Sequence, residues 1–189
     1  MKRLEGILRN LGNFSEEECQ LTLSNVRLET HKKGTALVKE GKISKNIFFI
    51  ASGYMRTYQL IDGRDKTISF GKPGQFMAST NGLVSNSPSD EYIETVSDVE
   101  VMSLDAEKLE YLQHSIPKIS FLINIMLKEI LECKEERIKD FINLNATDRY
   151  RLFVEHIPDL IKVVSINHLA SYLGTAPETL SRIRSKIIF

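Results

Sequence analysis

Near its C-terminus the chain reads PETLSRIRSK over positions 177–186, a stretch that carries Glu178, Thr179, Ser181, Arg182, Arg184 and Lys186. Carboxylate, hydroxyl and guanidinium groups spaced along a single short helix are chemistry suited to the edge of a base pair. The residues before it, INHLASYLGTA, could hold such a helix in place. Counting from Ile166, Leu169 and Leu173 face inward, Ala170 is small where two helices would touch, and Gly174 makes the turn. Leu180 and Ile183 bury the back of the second helix. This spacing predicts a helix-turn-helix, with a ligand-free helical hairpin as the plainer alternative. Two positions depart from the pattern. Thr175 stands where an apolar turn residue is usual, and Ala176 cannot cap the second helix, a loss of ~1 kcal/mol. Pro177, suited to a first helical position, offsets part of it.

The totals constrain what such a reader can do. Among 189 residues, 25 basic groups balance 25 acidic ones, so non-specific attraction to phosphate is limited. The balance is uneven along the chain, however. Residues 1–117 carry 14 basic and 16 acidic groups, whereas residues 143–189 carry six and four, so a small basic excess lies in the reader. No apolar run reaches the ~18–20 residues of a membrane span. The opening MKRLEGILRNLGNF lacks the apolar core of a signal peptide, and a cytoplasmic location is expected. Two cysteines, Cys19 and Cys133, exclude a four-thiolate zinc or iron–sulfur site within one chain. His31, His114, His156 and His168 are scattered. No cofactor is expected.

Three segments must position these groups. Residues 1–116 read mostly as β, with short runs at 35–38, 46–51, 54–60, 67–70, 92–96 and 99–104 punctuated by glycines. Strands of that length and spacing predict a sandwich or jelly-roll barrel. Asp62-Gly63 signals a type I′ hairpin turn, and Ser15 with Glu18 forms a helix-capping pair. Residues 117–142 read as one long helix, on which Ile119, Ile123, Met126, Ile130 and Cys133 step by four, three, four and three. That is a coiled-coil seam, predicting a two-fold dimer along it. The alternative is a helix buried in its own domain. Residues 143–189 read as the helical reader, giving an α+β chain overall.

With these motifs assembled, the chain resembles the Crp/Fnr family of bacterial transcription regulators. LASYLGTAPETLSRIRSK is close to that family's reader, and KKGTALVKEGKISKNIFFIASGYMRTYQL is similar to the start of its cyclic-nucleotide-binding-type β-roll. The resemblance implies a homodimer on palindromic double-stranded DNA, with RNA polymerase as a further partner. It also implies base contacts from Glu178, accepting from cytosine N4, and Arg182, forking onto guanine O6 and N7. Family members usually continue into a β-hairpin wing, whereas only SKIIF follows here. A short or missing wing is therefore expected, or else Ile187, Ile188 and Phe189 close the core.

The same resemblance locates an effector pocket at Gly74, Gln75, Ser79, Ser89 and Asp90, with Lys134 and Glu135 on the long helix. Nucleotide-binding relatives carry Gly-Glu and Arg-Ser pairs where this chain has Gly74-Gln75 and Ser89-Asp90. No arginine occurs between Arg64 and Arg137, and Asp90, Glu91 and Glu94 would repel a phosphate. Losing a buried charge partner costs roughly 2–5 kcal/mol. Cyclic AMP is therefore not the expected effector. Ser85, Asn86, Ser87 and Ser89 could form an anion nest or simply a solvated loop. Two other readings compete with a DNA-binding regulator. One is a ligand-binding module that has lost DNA binding, and the other, ranked last, is an enzyme on a cupin-like barrel.

Overall fold

The structure is a computed structural model and describes residues 2–187; Ile188 and Phe189, expected either to end a stub or to close the core, lie outside the described residues. Among the described residues eight strands follow in order: β1 (Arg27–His31), β2 (Ala36–Val38), β3 (Ile47–Ser52), β4 (Met55–Ile61), β5 (Arg64–Gly71), β6 (Phe76–Ala78), β7 (Tyr92–Thr95) and β8 (Val99–Leu104). They form two antiparallel four-stranded sheets, β1-β8-β3-β6 and β2-β7-β4-β5. Between the sheets pack Val38, Phe48, Ile50, Met55, Met77, Ile93, Val99 and Val101. Each such side chain contributes about 1.5–3 kcal/mol on burial. Asp62 and Gly63 both adopt positive φ, as the hairpin turn between β4 and β5 requires.

Helices surround this roll. They are α1 (Lys2–Gly12), α2 (Glu16–Asn25), α3 (Thr80–Ser85), α4 (Ala106–Ser115) and α5 (Lys118–Asn143), then α6 (Ala146–His156), α7 (Ile166–Leu173) and α8 (Pro177–Lys186). Local capping explains several of their starts. Ser15 and Glu18 form the full reciprocal box on α2, while Asp105 caps α4 and Asn145 caps α6. Elements beyond the expected ones are α1, α3, α4, β1 and β6. Strand β1 is an edge strand with a largely exposed pattern, so it lacks the apolar alternation that marks its neighbours.

The long helix differs from expectation in which face it buries. Ile119 and Met126 are buried in the protomer's own core beside Leu109, Leu112 and Ile116, and Ile123 and Ile130 pack partly against the same cluster. Cys133 is exposed. Ile119 and Met126, covered by their own domain, have no surface left for a second copy. A different stripe is left open. Phe121, Leu131, Ile138 and Ile142 are exposed by 57, 57, 60 and 76%. With Asn124, Lys128 and Glu135 they continue a three-four repeat along the solvent side of α5.

Candidate nucleic-acid interface and sensor cassette

The reader is built as its residue types require. Ser165 caps α7 by accepting the His168 N–H, and Gly174 ends α7 with φ 63°. Leu169, Ala170, Leu173, Leu180 and Ile183 are all buried in one cluster between α6, α7 and α8. Ala176 gives α8 no side-chain cap, and Pro177 occupies its first turn. Glu178, Ser181 and Arg182 are exposed on the side of α8 away from Leu180 and Ile183. A helix turns about 100° per residue, so the remaining candidates do not share that face. Thr179, half-buried, and Lys186 fall on one flank, and Arg184 falls on the other. This divides the set into a central group on the outward face and a second group, including Arg184 and Lys186, on its flanks. The Arg182 Nε donates to the Glu178 carbonyl at 3.3 Å, and among the described residues Arg182, Arg184 and Lys186 form no ion pair.

A pair of arginines invisible to motif reading holds the turn. Arg137 of α5 donates to the carbonyls of Thr67 and Tyr172 at 3.2 and 2.9 Å. Arg149 of α6 donates to those of Leu173 and Leu144 at 3.0 and 2.5 Å. Both guanidiniums lie over the Phe141 ring, at 5.0 and 4.5 Å. They satisfy carbonyls at the end of α7, which have no helical partner. A Cβ on Gly174 would come within 2.3 Å of Phe141, so backbone conformation and close approach both demand glycine there. Burial holds the Arg137 pKa below its ordinary value.

Reader and roll are joined along β5. The Thr67 N–H donates to Ser171 Oγ at 3.0 Å, and that hydroxyl donates to the Asp65 carbonyl at 3.2 Å. The Phe70 ring contacts Phe153 and Tyr172. Beneath α7, Arg56 is 2% exposed. Its two Nη atoms reach the Asp65 carboxylate at 2.7 and 2.6 Å, while Nε reaches Glu94 at 3.1 Å. Thr67 and the Tyr58 ring complete its surroundings. Burial opposes the Arg56 charge, but hydrogen bonds to Asp65 and the charges of Glu94 and Asp65 outweigh it and raise the pKa. His168 of α7 lies 3.8 Å from the same Asp65 carboxylate. Its pKa is lowered by burial and by the Arg56 charge, against the pull of Asp65 and Glu94.

Gln75, Ser79, Ser89 and Asp90, expected to line an effector pocket, are each engaged by local partners. Gln75 accepts the Lys72 N–H through its own side chain, closing the turn in which Gly74 has φ 94°. Ser79 is fully buried and caps α3 by accepting the Gly82 N–H. Ser89 donates to the Glu91 carbonyl at 2.8 Å, and Asp90 accepts from Asn81 and Gln59. Lys134 and Glu135 are exposed on α5. Glu91 beside them is buried. Burial pushes its carboxyl pKa up, the Lys134 charge opposes that, and Asp90 adds to it.

A carboxyl raised on folding holds its proton more tightly in the native state, so stability falls as pH climbs above the ordinary value of 4.5. Glu91→Gln is accordingly expected to raise the Tm at pH 7 and to lose that advantage near pH 4. An equal gain at both pH values would show that the Glu91 charge is not the cause.

Comparison with known proteins agrees with this architecture. A family model described as the cyclic nucleotide-binding domain matches residues 28–115. The transcriptional activator protein FnrA of Stutzerimonas stutzeri is 30% identical over 167 residues, covering 80% of this chain and 66% of the relative. The transcriptional activator protein anr of Pseudomonas aeruginosa is 29% identical with the same coverage, so the chain spans 66% of the length of these relatives. Among solved structures, FixK2 from Bradyrhizobium japonicum superposes with a TM-score of 0.74 at 20% identity, covering 85% of this chain and 83% of that one. The roll, the long helix and the helix-turn-helix thus come together with the sequence relatives in a single conclusion: the chain belongs to the Crp/Fnr family of transcriptional regulators.

Proposed function

We propose that the chain acts as a homodimer that binds a palindromic operator in double-stranded DNA and regulates transcription. The observation that carries this reading is α8, packed through Leu180 and Ile183 with Glu178, Ser181 and Arg182 free on its outer face. The activators named above support it by kinship. The dimer forms along the exposed stripe Phe121, Leu131, Ile138 and Ile142, in place of the seam that the sequence suggested. Pairing this stripe with a second copy removes apolar surface that a lone protomer leaves in water. Residues 1–116, 117–142 and 143–189 serve as sensor, dimer helix and reader. RNA polymerase is the natural further partner of such a regulator, and the cytoplasm its place of action.

The sensor does not respond to cyclic AMP. The roll interior is filled by apolar side chains, Ser79 and Ser89 are spent on local hydrogen bonds, and a buried Glu91 stands where a phosphate would need a cation. Selection of bound fragments from genomic DNA by the purified protein tests the main reading. Half-sites about one helical turn apart are expected. Recovery of no sequence at low salt would favour a ligand-binding module without a reader function.

The dimer stripe has its own test. Each Ile138 is worth about 1.5–3 kcal/mol when buried, and two are lost per dimer. Ile138→Asp is therefore expected to weaken association at least about 100-fold, read by sedimentation, and to reduce operator affinity with it. The same substitution at Ile123 should instead lower the melting temperature. A dimer unchanged by Ile138→Asp would rule out this stripe.

A further inference from the structure

On the outer face of the sheet β1-β8-β3-β6, α1 and α5 leave a cleft of about 120 Å³. Phe49 and Met102 floor it, Leu4 and Ile7 of α1 form one wall, and Ile123 and Met126 of α5 form the other. None of the side chains that fill the roll interior takes part. The buried hydroxyl in the lining, that of Thr22, is already spent on the Glu18 carbonyl at 2.8 Å. Polar ligands thus find little to bond, while an alkyl chain finds a dry surface. An apolar cavity of about 150 Å³ takes up benzene, so this one has room for roughly six carbons.

A cation marks where a head group would sit. Gly74 lines the cleft, and a Cβ placed on it would fall 2.7 Å from the Arg3 Nε, so the guanidinium lies directly on this glycine. Arg3 has no ion pair among the described residues. A planar, unpaired guanidinium is suited to gripping a carboxylate through two parallel hydrogen bonds. Glu129 stands on the α5 side of the cleft and would repel a second acid there.

We infer that this cleft binds a medium-chain fatty acid, with the alkyl chain between α1 and α5 and the carboxylate on Arg3. The ligand bridges the first helix to the one proposed for dimerisation, and so bears on the assembly. This site stands whether or not α8 reads DNA, because its walls include no part of the reader.

The experiment uses the purified full chain with butyrate, hexanoate, octanoate and octanol, followed by calorimetry and thermal shift. Affinity is expected to rise about fourfold per methylene up to hexanoate and to flatten toward octanoate, whose alkyl chain exceeds the roughly six carbons that the cleft holds, with octanoate binding about tenfold more tightly than octanol. Arg3→Gln should erase the preference for the acid while leaving octanol binding intact. Val26→Phe, placing a ring in the lining, should abolish binding of both. Should that variant fail to fold, the Arg3→Gln comparison decides alone. The site is overturned if octanoate shows no saturable binding, if chain length has no effect, or if Arg3→Gln leaves the acid preference unchanged.

Discussion

Arg182→Ala is expected to weaken operator binding by about 2–6 kcal/mol, because a bidentate arginine–guanine contact is worth about 1–3 kcal/mol and a dimer makes it twice. Even the lower bound is about 30-fold in affinity. The change should also relax preference at one base pair in each half-site. Arg182 is exposed on α8, and the residues that pack the helix, Leu180 and Ile183, are untouched, so stability should be unaltered. Arg182→Lys should not restore specificity, since an ammonium lacks the planar fork. Lys186→Ala provides the contrast. Its position on the flank of α8 suits a phosphate, so all sequences should weaken alike and the salt dependence should fall by about one unit per contact. Competition binding against a panel of single-pair operator variants separates the two outcomes. An Arg182→Ala protein with unchanged site preference would remove Arg182 from the reading face.

Arg56→Met should lower the melting temperature by about 6–12 °C. Removing one member of a buried ion pair costs about 3–5 kcal/mol, because the partner charge is left without compensation. Asp65 retains 35% of its side-chain exposure and water can partly solvate it, which places the expected loss near 3 kcal/mol. For a chain of this size each kcal/mol moves the Tm by about 2–4 °C. Adding Asp65→Asn and Glu94→Gln removes the orphaned charges and should recover more than half of the loss. The reader should feel the change as well, because Asp65 and Thr67 hold Ser171 of α7. Faster amide exchange in α7, with α8 still folded, is the expected signature. A shift under about 2 °C would mean that the network contributes little beyond what water supplies.

The elements legible in advance are those whose cause is local. Ser15 and Glu18 cap α2, Asp62-Gly63 turns the β4–β5 hairpin, and Gly174 turns the reader. Each follows from the conformational preference of one or two residues, which a neighbour distant in sequence does not alter. The helix-turn-helix was readable for a related reason, since its inward positions lie within fifteen residues of one another (Leu169 to Ile183). Strand β1 was not legible. Its residues RLETH carry no apolar alternation, and its pairing with β8 lies more than sixty residues away (His31 with Val99).

What the chain alone could not decide is which of several equivalent surfaces meets which. Helix α5 is apolar on more than one side, so its sequence allows two seams. Only the packing of Ile119 and Met126 beside α4 determines that Phe121, Leu131, Ile138 and Ile142 are left exposed. Arg56 likewise reads as an ordinary strand residue until the register sets it opposite Glu94 and the hairpin brings Asp65 alongside. Arg137 and Arg149 meet at Phe141 only because α5, α6 and α7 converge there. The sequence by itself determined the local turns, the caps and the reader's own helix pair, because backbone propensity and short-range spacing suffice for them. The tertiary structure decided the buried charges, the open face of α5 and the cleft beside α1, because each depends on contacts between segments far apart along the chain.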